Sequence, residues 1–127
     1  MEKREYLFYG FGQVCYALAM SDGKVQKSEH DDLVKLLKDE FEILDIDFDV
    51  LEISFELMFR DGIENSDEAY SFGLKNMEMG KNSLNEELMA KFNRILMNVA
   101  DSYKGVDTDE MNFIRQFNKD MDTMVTS

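Results

Sequence analysis

The sequence predicts an all-α protein, a compact single-domain helical bundle of about six to seven helices over residues 1–127. Three observations support this prediction. The chain has no proline, its apolar side chains recur at the spacing of helical faces, and it lacks a strand-like alternating pattern of convincing length. With 44% apolar residues, a chain of 127 residues can build one core, and two independent domains are not expected.

The first helix is expected in an uncharged run from Tyr6 to Ser21, which follows Lys3 and Arg4. A bilayer span requires roughly 20 apolar residues, so this run is too short to cross a membrane. Its glycines and tyrosines also make a poor signal peptide. We therefore expect a buried core helix and no membrane span.

Five further helices are expected, each with an apolar stripe at helical spacing. The stripes comprise Leu33, Leu36, Leu37 and Phe41; Val50, Ile53, Leu57 and Met58; Ala69, Tyr70, Phe72 and Met77; Leu88, Phe92, Ile95, Leu96 and Val99; and Met111, Ile114, Phe117 and Met121. A polar tail is expected over about 120–127.

Local signals mark the expected ends of these helices. Asp61-Gly62 is a turn signal that ends the third helix. Asn65 begins a predicted capping box for the fourth helix, and Ser83 begins one for the fifth, because each precedes a glutamate by three residues.

An acidic turn occurs twice, and each copy follows an apolar helix and opens another. The first copy begins Asp22-Gly23-Lys24-Val25 and reaches Glu29, and the second runs from Asp101 to Glu110 with two extra residues. The alignment pairs the two glutamates and also pairs Leu33 with Ile114, and Leu36 with Phe117. The pattern predicts a helix-turn-helix unit repeated over about 7–42 and 84–122, around a pseudo-twofold axis.

Charge and composition exclude several classes of function. The net charge of -13 repels phosphate backbones, so nucleic acid is not an expected partner. One cysteine, Cys15, excludes an internal disulfide and fits the cytoplasm, and its apolar surroundings predict burial. One histidine, His30, excludes any site with two imidazoles and is expected at the surface. No motif selects a nucleophile, so the chain is not expected to be an enzyme.

The segment Ala17-Leu18-Ala19-Met20-Ser21-Asp22-Gly23-Lys24-Val25, followed by Glu29 and the Leu33/Leu36/Leu37 stripe, resembles the TerB family of tellurite-resistance proteins. The same helical module occurs in DjlA-type co-chaperones. The second copy departs from the family pattern by its insertion. The resemblance implies an all-helical, non-catalytic stress-response or interaction module with metal-ion association. It also implies a protein partner in a membrane-associated or chaperone complex.

The acidic positions that match the family pattern are Asp22, Glu29, Asp101 and Glu110. If the two turns meet, these carboxylates form a hard-oxygen site for a divalent cation, Ca²⁺ or Mg²⁺, since both prefer oxygen ligands. Helix capping is the alternative and favoured interpretation, because Asp107 with Glu110 forms a capping box that needs no ligand. No other cofactor is expected.

A second acidic segment contains Asp45, Asp47 and Asp49, spaced as in a calcium-binding loop. An EF-hand requires glycine at its sixth position, where this chain has Val50, so a solvated connector is the favoured interpretation. An acidic, methionine-rich calcium sensor remains the alternative function, and a hydrolase is a less favoured one.

Overall fold

A computed structural model of the chain describes residues 1–21, 27–43, 48–104 and 108–126, and it excludes the side chains of residues 27–29 and 102–104. The described residues form an all-α bundle of six helices joined by short connections. The helices are α1 (Lys3–Met20), α2 (Lys27–Ile43), α3 (Asp49–Arg60), α4 (Ser66–Met79), α5 (Glu86–Lys104) and α6 (Thr108–Thr126), with a 3₁₀ turn at Lys81–Ser83. The predicted fold class is confirmed.

Helix α1 lies in the middle of the bundle, as its uncharged sequence predicts. From Leu7 to Met20, every residue except Tyr9 is buried. A helix that is apolar on all sides is stable only when other elements cover it on all sides. Within the described ranges, no helix is long and apolar enough to cross a membrane.

One face of α1 carries phenylalanines that pack against three other helices. The ring centroid of Phe11 lies 4.0 Å from that of Phe92 on α5, 5.8 Å from that of Phe117 on α6 and 6.4 Å from that of Phe41 on α2. All four side chains are fully buried. Such ring pairs add to the free energy of burial, so Phe11 connects α1 to the helices of both predicted repeats.

The two flanks of α1 beside this face carry one glycine each, and these glycines let α4 and α3 approach closely. A Cβ atom on Gly10 would lie 2.6 Å from the backbone nitrogen of Met77, and one on Gly73 would lie 2.8 Å from the carbonyl oxygen of Gly10. A Cβ atom on Gly12 would lie 2.7 Å from the carbonyl oxygen of Leu51 on α3. The backbones are therefore in contact where these glycines face each other.

The structure confirms some predicted helix ends and corrects one. Gly62, at a φ of +66°, follows α3, and the Asn65 side chain accepts a hydrogen bond of 3.0 Å from the backbone N–H of Glu68. Ser83, predicted to cap the fifth helix, lies in the 3₁₀ turn instead. Asn85 caps α5 by accepting a hydrogen bond of 2.8 Å from the backbone N–H of Leu88.

Three predictions about α3, α4 and the end of the chain are wrong. Ile53 and Phe72 were expected in the core but are 55% and 38% exposed, because α3 and α4 turn other residues toward α1. The expected polar tail continues α6 to Thr126, since Met121 and Met124 are buried and hold the last turns on the bundle.

We expect Gly10→Ala to lower the free energy of unfolding. At an exposed helix position this change would raise stability by about 1 kcal/mol, whereas overpacking a contact costs about 1–3 kcal/mol. Here the added methyl group would meet backbone atoms, which cannot rotate away as a side chain can. Chemical denaturation measures the difference, with Ser71→Ala on the exposed face of α4 as the control. A more stable Gly10→Ala variant would contradict the close contact of α1 with α4.

Candidate functional site

Two of the four residues predicted to bind a cation have described side chains. Asp101 is exposed near the end of α5, and Glu110 is 3% exposed in the first turn of α6. Asp22 and the side chain of Glu29 lie outside the described residues. A buried carboxylate requires a compensating partner, and the amides of a helix start and a metal cation are two such partners. The cation site at the turns stays a prediction.

The calcium-loop segment lies mostly outside the described residues, because Asp45 and Asp47 belong to residues 44–47. Asp49 is exposed and begins α3. Among the side chains that are described, no three His, Cys, Asp or Glu residues form a cluster suited to a metal ion.

The two predicted repeat units share part of their packing. Leu33 on α2 and its counterpart Ile114 on α6 are both buried. The next pair differs, since Phe117 is buried whereas Leu36 is half-buried and Leu37 takes the core position beside it. The faces that α2 and α6 turn inward therefore differ after the first turns of these helices.

His30 is the polar side chain that joins the start of α2 to α3. It is 8% exposed, which corrects the expected surface position, and its ring stacks on Phe59 at 4.2 Å and on Phe55 at 5.7 Å between centroids. Its Nδ1 lies 3.0 Å from Oδ1 of Asp31, and its Nε2 lies 2.8 Å from Oε1 of Glu56. The second contact lacks the geometry of a hydrogen bond, so it is an electrostatic contact.

Catalysis would require a nucleophile beside this histidine. Cys15 is fully buried, as predicted, and burial raises the pKa of its thiol far above the ordinary range. A thiol that stays protonated is a poor nucleophile. The His30 ring packs on two phenylalanine rings of α3, and the carboxylates of Asp31 and Glu56 lie beside its two nitrogens. This arrangement is that of a structural junction between α2 and α3.

A groove between α3 and α4, with α1 as its floor, contains a cavity of about 210 Å³ and is the candidate site. Cavities of about 150 Å³ accommodate benzene, so this one has room for an aromatic side chain. We call it the α3–α4 groove. It is lined by Tyr9, Gln13, Ser54, Leu57, Met58, Asp61, Ile63 and Phe72.

The floor of the α3–α4 groove carries a buried amide. Gln13 is 7% exposed, and its Oε1 accepts a hydrogen bond of 2.7 Å from Nδ2 of Asn76 on α4. The hydroxyl of Ser54 donates to the carbonyl oxygen of Leu51 at 2.9 Å. The groove thus combines an apolar wall with a fixed amide that retains further hydrogen-bonding capacity.

Two hydroxyl groups fix the connection from α3 to α4 against α1. The Tyr16 hydroxyl donates to the carbonyl oxygen of Ile63, and the Ser66 hydroxyl donates to that of Ala17, both at 2.7 Å. Burial, and secondly the charge of Glu64, raise the pKa of Tyr16, so its phenol stays protonated and remains a donor.

Sequence patterns miss this groove for a physical reason. Tyr9, Gln13 and Tyr16 recur on one side of an otherwise apolar helix, and this spacing is the signal that α1 has a partly polar face. The opposing residues come from α3 and α4. The apolar stripes predict the wrong rotation for these two helices, since Ile53 and Phe72 are exposed. The groove therefore becomes visible once the helices are packed together.

Comparison of the chain with protein-family models, with curated proteins and with solved structures finds no match in any of the three. The resemblance to the TerB family accordingly stays a prediction, and the geometry of the site itself carries the functional argument.

Replacing His30 with alanine is expected to lower the free energy of unfolding by about 2–4 kcal/mol, since the change removes a buried ring and its stacking on α3. Thermal and urea unfolding measure the effect. Asp31→Asn is the control, because the Asp31 side chain is 67% exposed and its change is expected to stay within about 0.5 kcal/mol. Equal effects of the two variants would refute a packing role for the ring.

Proposed function

We propose that the chain is a non-catalytic, TerB-like interaction module of a cytoplasmic stress response that binds a protein partner through the α3–α4 groove. The observation that carries this proposal is the exposed apolar surface beside a formed cavity. Phe72 lines the cavity at 38% exposure, and Ile53, one turn from Leu57 on α3, is 55% exposed. Rings and aliphatic side chains exposed around a concave surface are typical of protein-interaction sites.

The chemistry of the groove favours binding over turnover. Its titratable side chains are Tyr9 and Asp61, and Asp61 is exposed with its Oδ1 3.4 Å from Nε of Arg60. Catalytic sites instead bring together groups with matched, perturbed pKa values in a water-excluded position. A partner in a membrane-associated or chaperone complex would agree with the TerB resemblance, and the net charge of -13 disfavours nucleic acid.

A divalent cation at the acidic turns is the second part of the proposal. Support comes from the two copies of the turn and from Glu110, a buried carboxylate at the start of α6. Oxygen ligands of this kind suit Ca²⁺ and Mg²⁺. A cation there would stabilise helix starts without taking part in a reaction.

The interaction function predicts that a random peptide library displayed on phage yields ligands for the folded protein. Phe72→Asp is expected to weaken the selected peptides at least ~tenfold, because it places a charge in an apolar contact. Val125→Asp is the matched control, since Val125 is also an exposed apolar residue but lies near the end of α6. If Phe72→Asp leaves the affinity of the selected peptides unchanged, or if the selection yields no ligands, binding at the groove is contradicted.

The cation proposal predicts saturable binding of Ca²⁺ or Mg²⁺ by calorimetry. Thermal unfolding should show stabilisation of about 2.7 kcal/mol at 100 times the Kd. Asp22→Asn and Asp101→Asn should each weaken binding, whereas the control Asp122→Asn, on the exposed face of α6, should not. Without saturation in the millimolar range, the acidic turns are helix caps.

A further inference from the structure

We infer that the cavity of the α3–α4 groove takes the phenol ring of a tyrosine side chain from the protein partner. This inference rests on the proposed interaction function and adds the chemistry of the group that is recognised. It is carried by an unbonded amide on the floor of the cavity, by the size and the rings of the cavity, and by the balance of charges around it.

The amide of Gln13 on the floor of the cavity has a donor group that no described residue uses. Its Oε1 accepts the hydrogen bond from Asn76, whereas its Nε2 is bonded to no acceptor in the described part of the chain. Gln13 is 7% exposed, yet its unbonded Nε2 is not an enclosed atom. Since Gln13 lines the cavity, the N–H groups of Nε2 are open to a molecule placed there. A ligand that fills the cavity must therefore offer them an acceptor, because a buried donor without a partner costs free energy.

The hydroxyl of Ser54 on α3 adds the complementary group. It is buried, and its O–H already donates to the carbonyl oxygen of Leu51 at 2.9 Å. The lone pairs of its Oγ can still accept a hydrogen bond from the cavity that Ser54 lines. The cavity thus presents a donor at Gln13 and an acceptor at Ser54, and a phenolic hydroxyl can accept from one and donate to the other.

The walls of the cavity suit an aromatic ring. Phe72 from α4 and Tyr9 from α1 contribute rings, and Leu57, Met58 and Ile63 contribute apolar contacts. Aromatic rings gain free energy from edge-to-face and offset contacts with one another, and methionine sulfur also packs favourably on them. The cavity of about 210 Å³ is larger than the roughly 150 Å³ that holds benzene, which leaves room for a substituent on the ring.

Tyrosine meets these conditions better than the other aromatic side chains. Phenylalanine would fill the cavity but offer no acceptor to Gln13. The indole N–H of tryptophan donates and cannot accept, so it would oppose one donor with another. The imidazole of histidine has two ring nitrogens and therefore less apolar surface for the walls.

The charges around the groove are mixed and favour an uncharged ligand. Of the described residues that line the cavity, Asp61 is the charged one, and its Oδ1 lies 3.4 Å from Nε of Arg60. Glu68 and Lys75, one turn before and one turn after Phe72 on α4, are exposed and have opposite charges. The lining therefore lacks a cation for a carboxylate or a phosphate, and a neutral phenol is expected in preference to a phosphorylated one.

Titration of the full chain with three small probes, followed by NMR, tests the inference. p-Cresol is the tyrosine side chain as a free molecule, toluene lacks its hydroxyl, and p-toluate replaces that hydroxyl with a carboxylate. We expect p-cresol to bind in the millimolar range, at least ~fivefold more tightly than either of the others. A side-chain amide proton of Gln13 should move downfield with p-cresol, as a new hydrogen bond requires, and not with toluene.

A variant of the protein assigns this preference to the amide. Gln13→Met keeps a long side chain but removes the N–H groups, so p-cresol should lose its advantage over toluene. Gln116→Met, the same change at an exposed position of α6, is the matched control and should keep the advantage. Circular dichroism and thermal unfolding check that both variants fold. If Gln13→Met does not fold, the shift of the Gln13 amide proton in the unchanged protein decides.

Peptides from the phage library test whether a partner's tyrosine is the source of the ring. Peptides whose binding depends on Phe72 should contain a tyrosine, and its replacement by phenylalanine should weaken them at least ~fivefold. p-Cresol should compete with these peptides, whereas toluene should compete less.

The outcomes separate the recognised ring from the proposed function. Equal affinities of p-cresol and toluene, tighter binding of p-toluate, or no binding of p-cresol in the millimolar range would overturn the inference. Peptides that depend on Phe72 but not on a tyrosine would also overturn it, while they would preserve the interaction function. Binding of p-cresol without any such peptide would assign the cavity to a free phenolic compound and overturn the partner's side chain as its occupant. If p-cresol does not bind and Phe72→Asp leaves the selected peptides unaffected, both proposals fail.

Discussion

The bundle depends on the burial of α1 through two kinds of contact. Phe11 places a ring among those of α2, α5 and α6, whereas Gly10 and Gly12 remove side chains where α4 and α3 cross. The ring contacts gain free energy from apolar burial, and the glycine contacts gain it from the close approach of backbones. The large and the small residues around this central helix therefore determine how far each neighbouring helix stands from it.

The candidate site follows from the same constraint. Because α4 contacts α1 at Gly10 and α3 contacts it at Gly12, the two helices lie on either side of the face that carries Tyr9 and Gln13. Tyr9 is half-buried and Gln13 is 7% exposed on this face, and the α3–α4 groove lies above it.

Periodicity in the sequence predicts the helices and most of the core, because it depends on local spacing. It predicts the buried α1 and the C-terminal end of α3 correctly. It fails at Ile53 and Phe72, where the apolar stripe is compatible with more than one rotation of the helix and packing on α1 selects another. The burial of His30 is missed because its environment consists of two rings from α3, far away in the sequence.

The hydroxyls of Tyr16 and Ser66 bond to backbone oxygens across the junction of α1 with the α3–α4 connection. These bonds tie the wall-forming helices to the core, so the opening between the walls is set before any ligand arrives. A preorganised groove spares its ligand the cost of rearranging the protein, and conformational entropy is then lost chiefly by the incoming segment. Association with the proposed partner would then require little rearrangement of the bundle itself.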